Sequence, residues 1–331
     1  EVGNYMKRFR DILCVVEPEE DSRAALERAS ALAQSNQANL TVMAIIPRIR
    51  AGTRLPEGSP APEELQALLA GEQMRLLDAL AAPYRKLADI QVRVLHGTPF
   101  MEIIREVLRS GYDLVVRIPE TRDWFNRLFG SDDMHLLRKC PCPVWMIKPD
   151  VTRTFKRILA AVDVDESYSP DGVELRRAIN MQILEMSAAL ALSDFAELHV
   201  VHVWDAVGEG LMQSAMTHVP DDRIAAYVEQ VRQQSESRLY RLVNDVAGKG
   251  TGNAMDYLKP QKHLIRGSAR KEIPALVKRI GADLVVMGTI GRTGIPGFFI
   301  GNTAETVLSQ INCSVLAIKP PGFETPVALD D

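Results

Sequence analysis

The sequence predicts an α/β protein of two tandem domains, each a five-stranded, mainly parallel sheet flanked by helices. Three observations lead there: the chain repeats itself, apolar strand-like runs alternate with helix-period segments in each repeat, and one strand runs through a glycine-bearing loop into a helix.

The repeat is visible when the halves are aligned. Ile12-Leu13-Cys14-Val15-Val16-Glu17 matches Ile158-Leu159-Ala160-Ala161-Val162-Asp163 as I-L-x-x-V-acid. Asp113-Leu114-Val115-Val116 matches Asp283-Leu284-Val285-Val286, and Cys142-Pro143-Val144 with Ile147-Lys148-Pro149 matches Cys313-Ser314-Val315 with Ile318-Lys319-Pro320. Three matched strands in one order, at offsets of 146 to 171 residues, mark a duplication. A chain of 331 residues with 46% hydrophobic content is long enough to bury two medium cores. The predicted domains are residues 6–150 and 151–320, followed by a disordered tail at 321–331.

Element by element, strands are expected near 10–16, 39–46, 91–95, 113–117 and 143–148 in the first half. Their counterparts fall near 157–163, 197–204, 262–266, 283–288 and 314–319. Helices fill the intervals, and Gly111 and Gly281 sit where a helix should stop before the fourth strand. Between strands 2 and 3 lie helices within 61–88 and 220–247; the second turns Ile224, Val228 and Val231 inward and Arg232, Glu236 and Arg238 outward. Pro56, Gly58, Pro60 and Pro62 make a loop of the approach to the first of these. Ser268 is placed to cap the helix after strand 3 of the second half.

Composition excludes several partners. The 39 Lys and Arg are balanced by 43 Asp and Glu with no long basic run, which argues against a nucleic-acid partner. No apolar run approaches the ~18 residues of a membrane helix. The four cysteines follow no disulfide framework, and residues 1–5 lack the basic-then-apolar pattern of an export signal. A cytoplasmic location is the expectation.

Residues 284–305, LVVMGTIGRTGIPGFFIGNTAE, carry the candidate site. Leu284, Val285, Val286 and Met287 suit a strand covered on both faces, and the carboxyl end of such a strand is where open parallel sheets bind ligands. Gly288 and Gly291 let a ligand approach the backbone, and Gly301 opens a helix whose first N–H groups attract anions. Arg292, inside the loop, is a candidate for a terminal phosphate and equally for a solvated side chain.

The spacing G-x2-G-x9-G at 288, 291 and 301 resembles that of the nucleotide-binding universal stress proteins, in which Ser or Thr follows the third glycine. Here Asn302 stands in that position and Thr303 comes next. An Asn amide still offers a donor. The resemblance implies a Rossmann-like, adenine nucleotide alpha hydrolase-like fold with strand order 3-2-1-4-5 and a crevice between strands 1 and 4. It further implies that Val162, Asp163, Val203, Met287, Gly288, Gly291, Gly301, Asn302 and Thr303 line a site for ATP, AMP or ADP, with Mg²⁺ as a possible companion. His135 to Cys140 and Gly301 to Glu305 resemble segments of the tandem, two-domain members.

The first half lacks this loop. Its matching stretch, LVVRIPETRDWFNRLFGSDDM, has Ile118 for Gly288 and Thr121 for Gly291, keeps only Gly130, and places Glu17 where the second half has Asp163. No nucleotide is expected there. This half is expected either to pack against the second as an intramolecular pseudo-dimer, or to bind another ligand or a partner, with Trp124, Phe125, Leu128 and Phe129 near the altered loop. Relatives that pair again leave a homodimer open.

Other chemistry is poorly supported. Ala247 to Gly252 imitates a phosphate loop, but Val243 and Gly250 stand where that motif needs Gly and Ser or Thr. His199 and His202, three apart on a strand, face opposite ways and cannot chelate one metal. Cys140 and Cys142, beside two prolines, read as the entry to a strand. No general base accompanies the glycine loop, so the expected function is a stress-response sensor or regulator that binds a nucleotide. The alternatives are a slow ATPase on the same loop and a scaffold without nucleotide.

Overall fold

The fold is that of a computed structural model, which describes residues 9–17, 22–50, 52, 60–119, 131–149, 154–166, 169–214, 219–248, 254–289 and 301–329. The first half contains β1 (Asp11–Val15), α1 (Arg23–Asn36), β2 (Asn39–Ile46), α2 (Pro62–Ala81), β3 (Ile90–His96), α3 (Pro99–Ser110), β4 (Leu114–Arg117), α4 (Ser131–Lys139) and β5 (Val144–Met146). The second contains β6 (Arg157–Ala161), α5 (Pro170–Asp194), β7 (Glu197–Trp204), α6 (Glu209–Met212), α7 (Asp221–Gly248), α8 (Ala254–Leu258), β8 (Gln261–Arg266), α9 (Ala269–Ile280), β9 (Leu284–Gly288), α10 (Asn302–Leu308) and β10 (Ser314–Ile318). Each predicted strand is present, shifted by at most a residue or two at its ends.

All ten strands form one sheet in the order β3-β2-β1-β4-β5-β10-β9-β6-β7-β8. Within each half the order is 3-2-1-4-5 and every pairing is parallel. The halves meet where β5 pairs antiparallel with β10, Trp145 opposite Leu316. Burial follows position in the sheet. The central strands β4 and β10 are buried at every residue, whereas the edge strands β3 and β8 are mostly half-buried or exposed.

Two cores lie on opposite faces of the sheet. On one, Leu26 of α1, Leu77 of α2, Leu184 of α5 and Leu239 of α7 cover Ile12, Val42, Ile158 and Val200. On the other, Ile103 of α3, Leu136 of α4, Leu276 of α9 and Val307 of α10 cover Leu13, Val115, Leu159 and Val285. Alternate strand residues therefore feed alternate cores, the period of two expected of a pleated strand.

Helix ends reveal which local signals were readable. Gly111 and Gly281 adopt the left-handed conformation that closes α3 and α9, as the sequence leads one to expect. Gln37 and Phe195 do the same work for α1 and α5 at φ near +55°, without being glycine. Their N–H groups reach back to carbonyls of the last turn, which offsets the steric cost. Ser268 occupies the predicted cap of α9, but its hydroxyl makes no capping bond; its carbonyl receives Lys271 and Glu272 N–H instead.

In the carboxyl-terminal tail, residues 321–329 are described, with partly buried Val327 packed against the second core and Arg105 of α3 donating to the Ala328 carbonyl at 3.4 Å.

Buried thiols make stability depend on alkaline pH. Burial pushes Cys14 of β1 up to about 12, and burial with Asp283 nearby pushes Cys313 up to about 12, from an ordinary 9.0. The unfolded chain sheds these protons from pH 9, so the stabilisation is complete below pH 9 and is lost as pH rises toward 12. Each thiol accounts for on the order of 2 kcal/mol between pH 8 and pH 10.5. Urea unfolding of Cys14→Ala at these two pH values should show its deficit relative to wild type shrinking by that amount; a constant deficit refutes the linkage.

Candidate functional site

The crevice opens where β6 and β9 run side by side, with β7 beyond β6. Ala161 pairs with Met287 in the ladder, so Val162 and Asp163 leave β6 next to Gly288 at the end of β9. Sequence reasoning brought these two strand ends together correctly. Val203 of β7 and buried Met287 face the core beneath α9 and α10, while Val162 faces the core beneath α5. The apolar candidates thus divide between the two faces.

Asp163 is held from α5. Its N–H donates to Asn180 Oδ1 at 3.1 Å, and Asn180 Nδ2 returns a bond to its carbonyl at 2.7 Å. One carboxylate oxygen accepts the Arg176 guanidinium and the other accepts the Asp165 N–H at 3.2 Å. Asn180 and Arg176 were missed by sequence reasoning. Their only signal was a polar pair, four residues apart, on the otherwise apolar inner face of a helix. The Asp163 side chain remains 44% exposed, so its carboxylate can still meet a ligand.

Gly288 has a packing role as well. A Cβ at that position would stand 3.0 Å from Cγ2 of Ile179 in α5, tighter than ordinary contact. The glycine therefore lets α5 close on the strand end whatever a ligand requires.

The ends of the following loop are tied together: the Gly301 N–H donates to the Thr289 carbonyl at 2.9 Å. Gly301 is consequently spent as a donor, and the first-turn N–H groups of Asn302, Thr303 and Ala304 are those without an intrahelical acceptor. Because α10 has only seven residues, local N–H groups rather than a long helix dipole supply its attraction for anions. Gly301 has φ −57° and ψ 132°, which any residue can adopt. Asn302 and Thr303 are exposed. Gly291 and Arg292 lie outside the described residues, as do Phe298 and Phe299.

Beneath the loop anchor lies a buried cation. The Lys319 ammonium, just past β10, donates to the Thr289 hydroxyl at 2.9 Å and to the carbonyl of Leu137 in the other half. Burial lowers it to about 8. His202 of β7 lies behind the crevice, with Nδ1 3.4 Å from the Val162 carbonyl; burial lowers its pKa, opposed by the charge of Asp163.

The matching crevice of the first half is filled from within. Arg117, aligned with Met287, is buried and reaches Asp133 of α4 at 3.3 Å and Glu17 at 3.6 Å, and its Nε donates to the Ile118 carbonyl at 3.2 Å. Asp133 is wholly buried. An ion cluster of Arg117, Asp133 and half-exposed Glu17 thus stands at the end of β4, where the other half has Met287 and Gly288. The substitution of Arg for Met was legible in the alignment, but not what it would pair with. Thr121, Trp124, Phe125, Leu128, Phe129 and Gly130 lie outside the described residues.

Elsewhere the described residues contain no group of three or more His, Cys, Asp and Glu able to hold a metal, and no helix long and apolar enough to cross a membrane. His199 pairs with His263 across β7 and β8 at 3.0 Å, not with His202, consistent with their predicted opposite faces.

Two 3-2-1-4-5 halves, joined in tandem within one sheet and each with a strand-order reversal, are the architecture of a two-domain universal stress protein. The chain belongs to that family: the universal stress protein family profile matches residues 8–148 and again 154–319. Over nearly its whole length it is similar to Universal stress protein E of Escherichia coli K12, 29% identical over 335 residues covering 98% of this chain and 99% of that one. The Universal stress protein E homolog of Haemophilus influenzae is 28% identical over 331 residues, 95% and 98% of the two chains. Among solved structures, a putative universal stress protein from Pseudomonas aeruginosa UCBPP-PA14 superposes with TM-score 0.66 at 24% identity, covering 96% of this chain and 95% of the other. A universal stress protein from Archaeoglobus fulgidus gives TM-score 0.57 at 18% identity, covering 94% and 99%. At these identities the structural likeness speaks for the fold.

Proposed function

We infer that the second half binds ATP, or AMP or ADP, in the crevice between β6 and β9, and that the protein is a sensor or regulator rather than a catalyst. The observation that carries this reading is the junction of Asp163 with the Gly288 strand end and the open first turn of α10. The carboxylate is an acceptor for ribose hydroxyls or the adenine amine. Donors for phosphate come from the N–H groups at 302–304 and the side chains of Asn302 and Thr303. This donor set fits a nucleotide polyphosphate. With no metal-holding cluster among the described residues, Mg²⁺ would arrive on the phosphates, where it neutralises charge, and keep much of its water shell.

The first half serves as the structural partner, so that the two halves stand as a pseudo-dimer. The ion cluster of Arg117, Asp133 and Glu17 favours this over a second nucleotide seat. A reducing cytoplasm suits the four free thiols.

Titration calorimetry with ATP tests the reading. One nucleotide per chain is expected, and Gly301→Val should remove binding, since the backbone there tolerates valine while its branches crowd the first-turn N–H groups. Gly288→Val is the poorer probe because it also collides with Ile179. Absence of heat for the wild type at millimolar ATP and AMP sinks the proposal, and two sites per chain refutes the silent first half.

A further inference from the structure

At the seam between the halves, Cys140 Sγ and Cys142 Sγ lie 3.6 Å apart, buried between the end of α4 and the start of β5. The Lys319 ammonium is buried against the last turn of α4, and its partners among the described residues are all neutral: the carbonyl of Leu137, three residues before Cys140, the Thr289 hydroxyl and the ring of Phe323 at 5.4 Å. A buried cation calls for a compensating anion. No carboxylate among the described residues forms an ion pair with it, and the sulfur pair is the group in this cluster that can supply the charge.

We propose that Cys140 and Cys142 form a peroxide-responsive dithiol, with a Cys140 thiolate opposite Lys319 as nucleophile and Cys142 as the resolving thiol. The asymmetry between the sulfurs supports these roles. Despite burial, the Cys140 thiol is held below its usual range by hydrogen bonds from the Cys142 side chain and N–H and by the charge of Lys319, whereas Cys142 is pushed up by that same bond and by burial. Among the described residues Cys14 and Cys313 make no hydrogen bond to a second thiol, and burial keeps both protonated.

The chemistry balances with hydrogen peroxide as the oxidant. The Cys140 thiolate attacks one peroxide oxygen and the O–O bond breaks; the departing hydroxide takes a proton to become water, leaving a sulfenic acid. Cys142 then gives up its proton and attacks that sulfur. The S–S bond forms as the S–O bond breaks, and hydroxide leaves with the proton as a second water. Two thiols are oxidised and one peroxide is reduced. Burial selects a water-sized oxidant over a bulky disulfide, and a small thiol reductant resets the pair after local opening.

The test is the full-length protein treated with hydrogen peroxide, then read by intact mass and peptide mapping. The expected result is loss of two hydrogens and a Cys140–Cys142 link, reversed by dithiothreitol, with oxidised glutathione far slower. Cys142→Ser, a near-isosteric change, should leave a sulfenic acid at Cys140 that dimedone traps when the peroxide-treated protein is then unfolded in its presence, and Cys140→Ser should leave none at Cys142. Lys319→Met should slow the reaction by about tenfold, as one unit of thiol pKa would, and move its pH profile upward. Should Lys319→Met fail to fold, as read by circular dichroism, the Cys142→Ser arm decides alone. The proposal is overturned if peroxide leaves the folded wild type unchanged, or if Cys140 in Cys142→Ser is labelled no faster than Cys14 or Cys313.

Discussion

Replacing Asp194 by alanine lowers stability by roughly 3–5 kcal/mol, the cost of stripping one partner from a buried ion pair. Asp194, at the end of α5 in the second half, accepts Arg28 of α1 in the first at 2.7 Å, and both side chains are under a tenth exposed. It also accepts the Phe155 N–H at 2.7 Å, so alanine orphans a buried amide as well as a guanidinium. Arg28 stacks over the Phe155 ring at 3.9 Å, and this cation–π contact holds the loss toward the lower end. Asp194→Asn, which keeps an acceptor for the amide, should cost less. Urea unfolding checks both, with Arg28→Leu/Asp194→Leu as the decisive comparison: if the double variant is no more stable than Asp194→Ala, uncompensated charge is not the cause.

Trp145→Ala is expected to cost a similar 3–5 kcal/mol. Trp145 is buried in β5, packs at 5.9 Å from Phe155 and pairs across the seam with Leu316. Truncation would open a cavity on the strand that joins the halves. Its indole Nε1 has no hydrogen-bond partner among the described residues. Trp145→Phe removes that unsatisfied donor along with part of the ring, so it should lose much less than alanine. Thermal unfolding of the three proteins provides the check, and a Phe variant as unstable as the Ala variant would mean that the indole itself, not the volume it fills, matters at this position.

The sheet was legible because its strands are covered on both faces. Leu284 to Met287 and Leu114 to Val116 are unbroken apolar runs, and the repeat let each half confirm the other. The strand ends that build the crevice were legible for the same reason: Asp163 and Gly288 terminate such runs. What could not be read depends on contacts distant in sequence. Arg176 and Asn180 clamp Asp163 from a helix whose sequence shows two polar residues on an apolar face but not what they hold. Gly288 looks like a phosphate cradle in sequence, yet it is also where Ile179 needs room. The contacts of Val327 and Ala328 with the rest of the fold are likewise invisible in sequence, because one valine and one carbonyl leave no periodic pattern. Arg117 carried a legible substitution, but its meaning came only with buried Asp133 beside it.

The antiparallel pairing of β5 with β10 has a consequence for concentration. Two separate chains that met through this strand pair would part on dilution and could exchange, mixing unlike lobes into like ones. Joined by a short connection, the lobes face each other at a high effective concentration that does not fall with expression level. An unequal pair, one lobe whose β9 ends at Gly288 and one whose β4 ends in the Arg117, Asp133 and Glu17 cluster, is thereby inherited as a unit. It cannot be scrambled into pairs of like lobes.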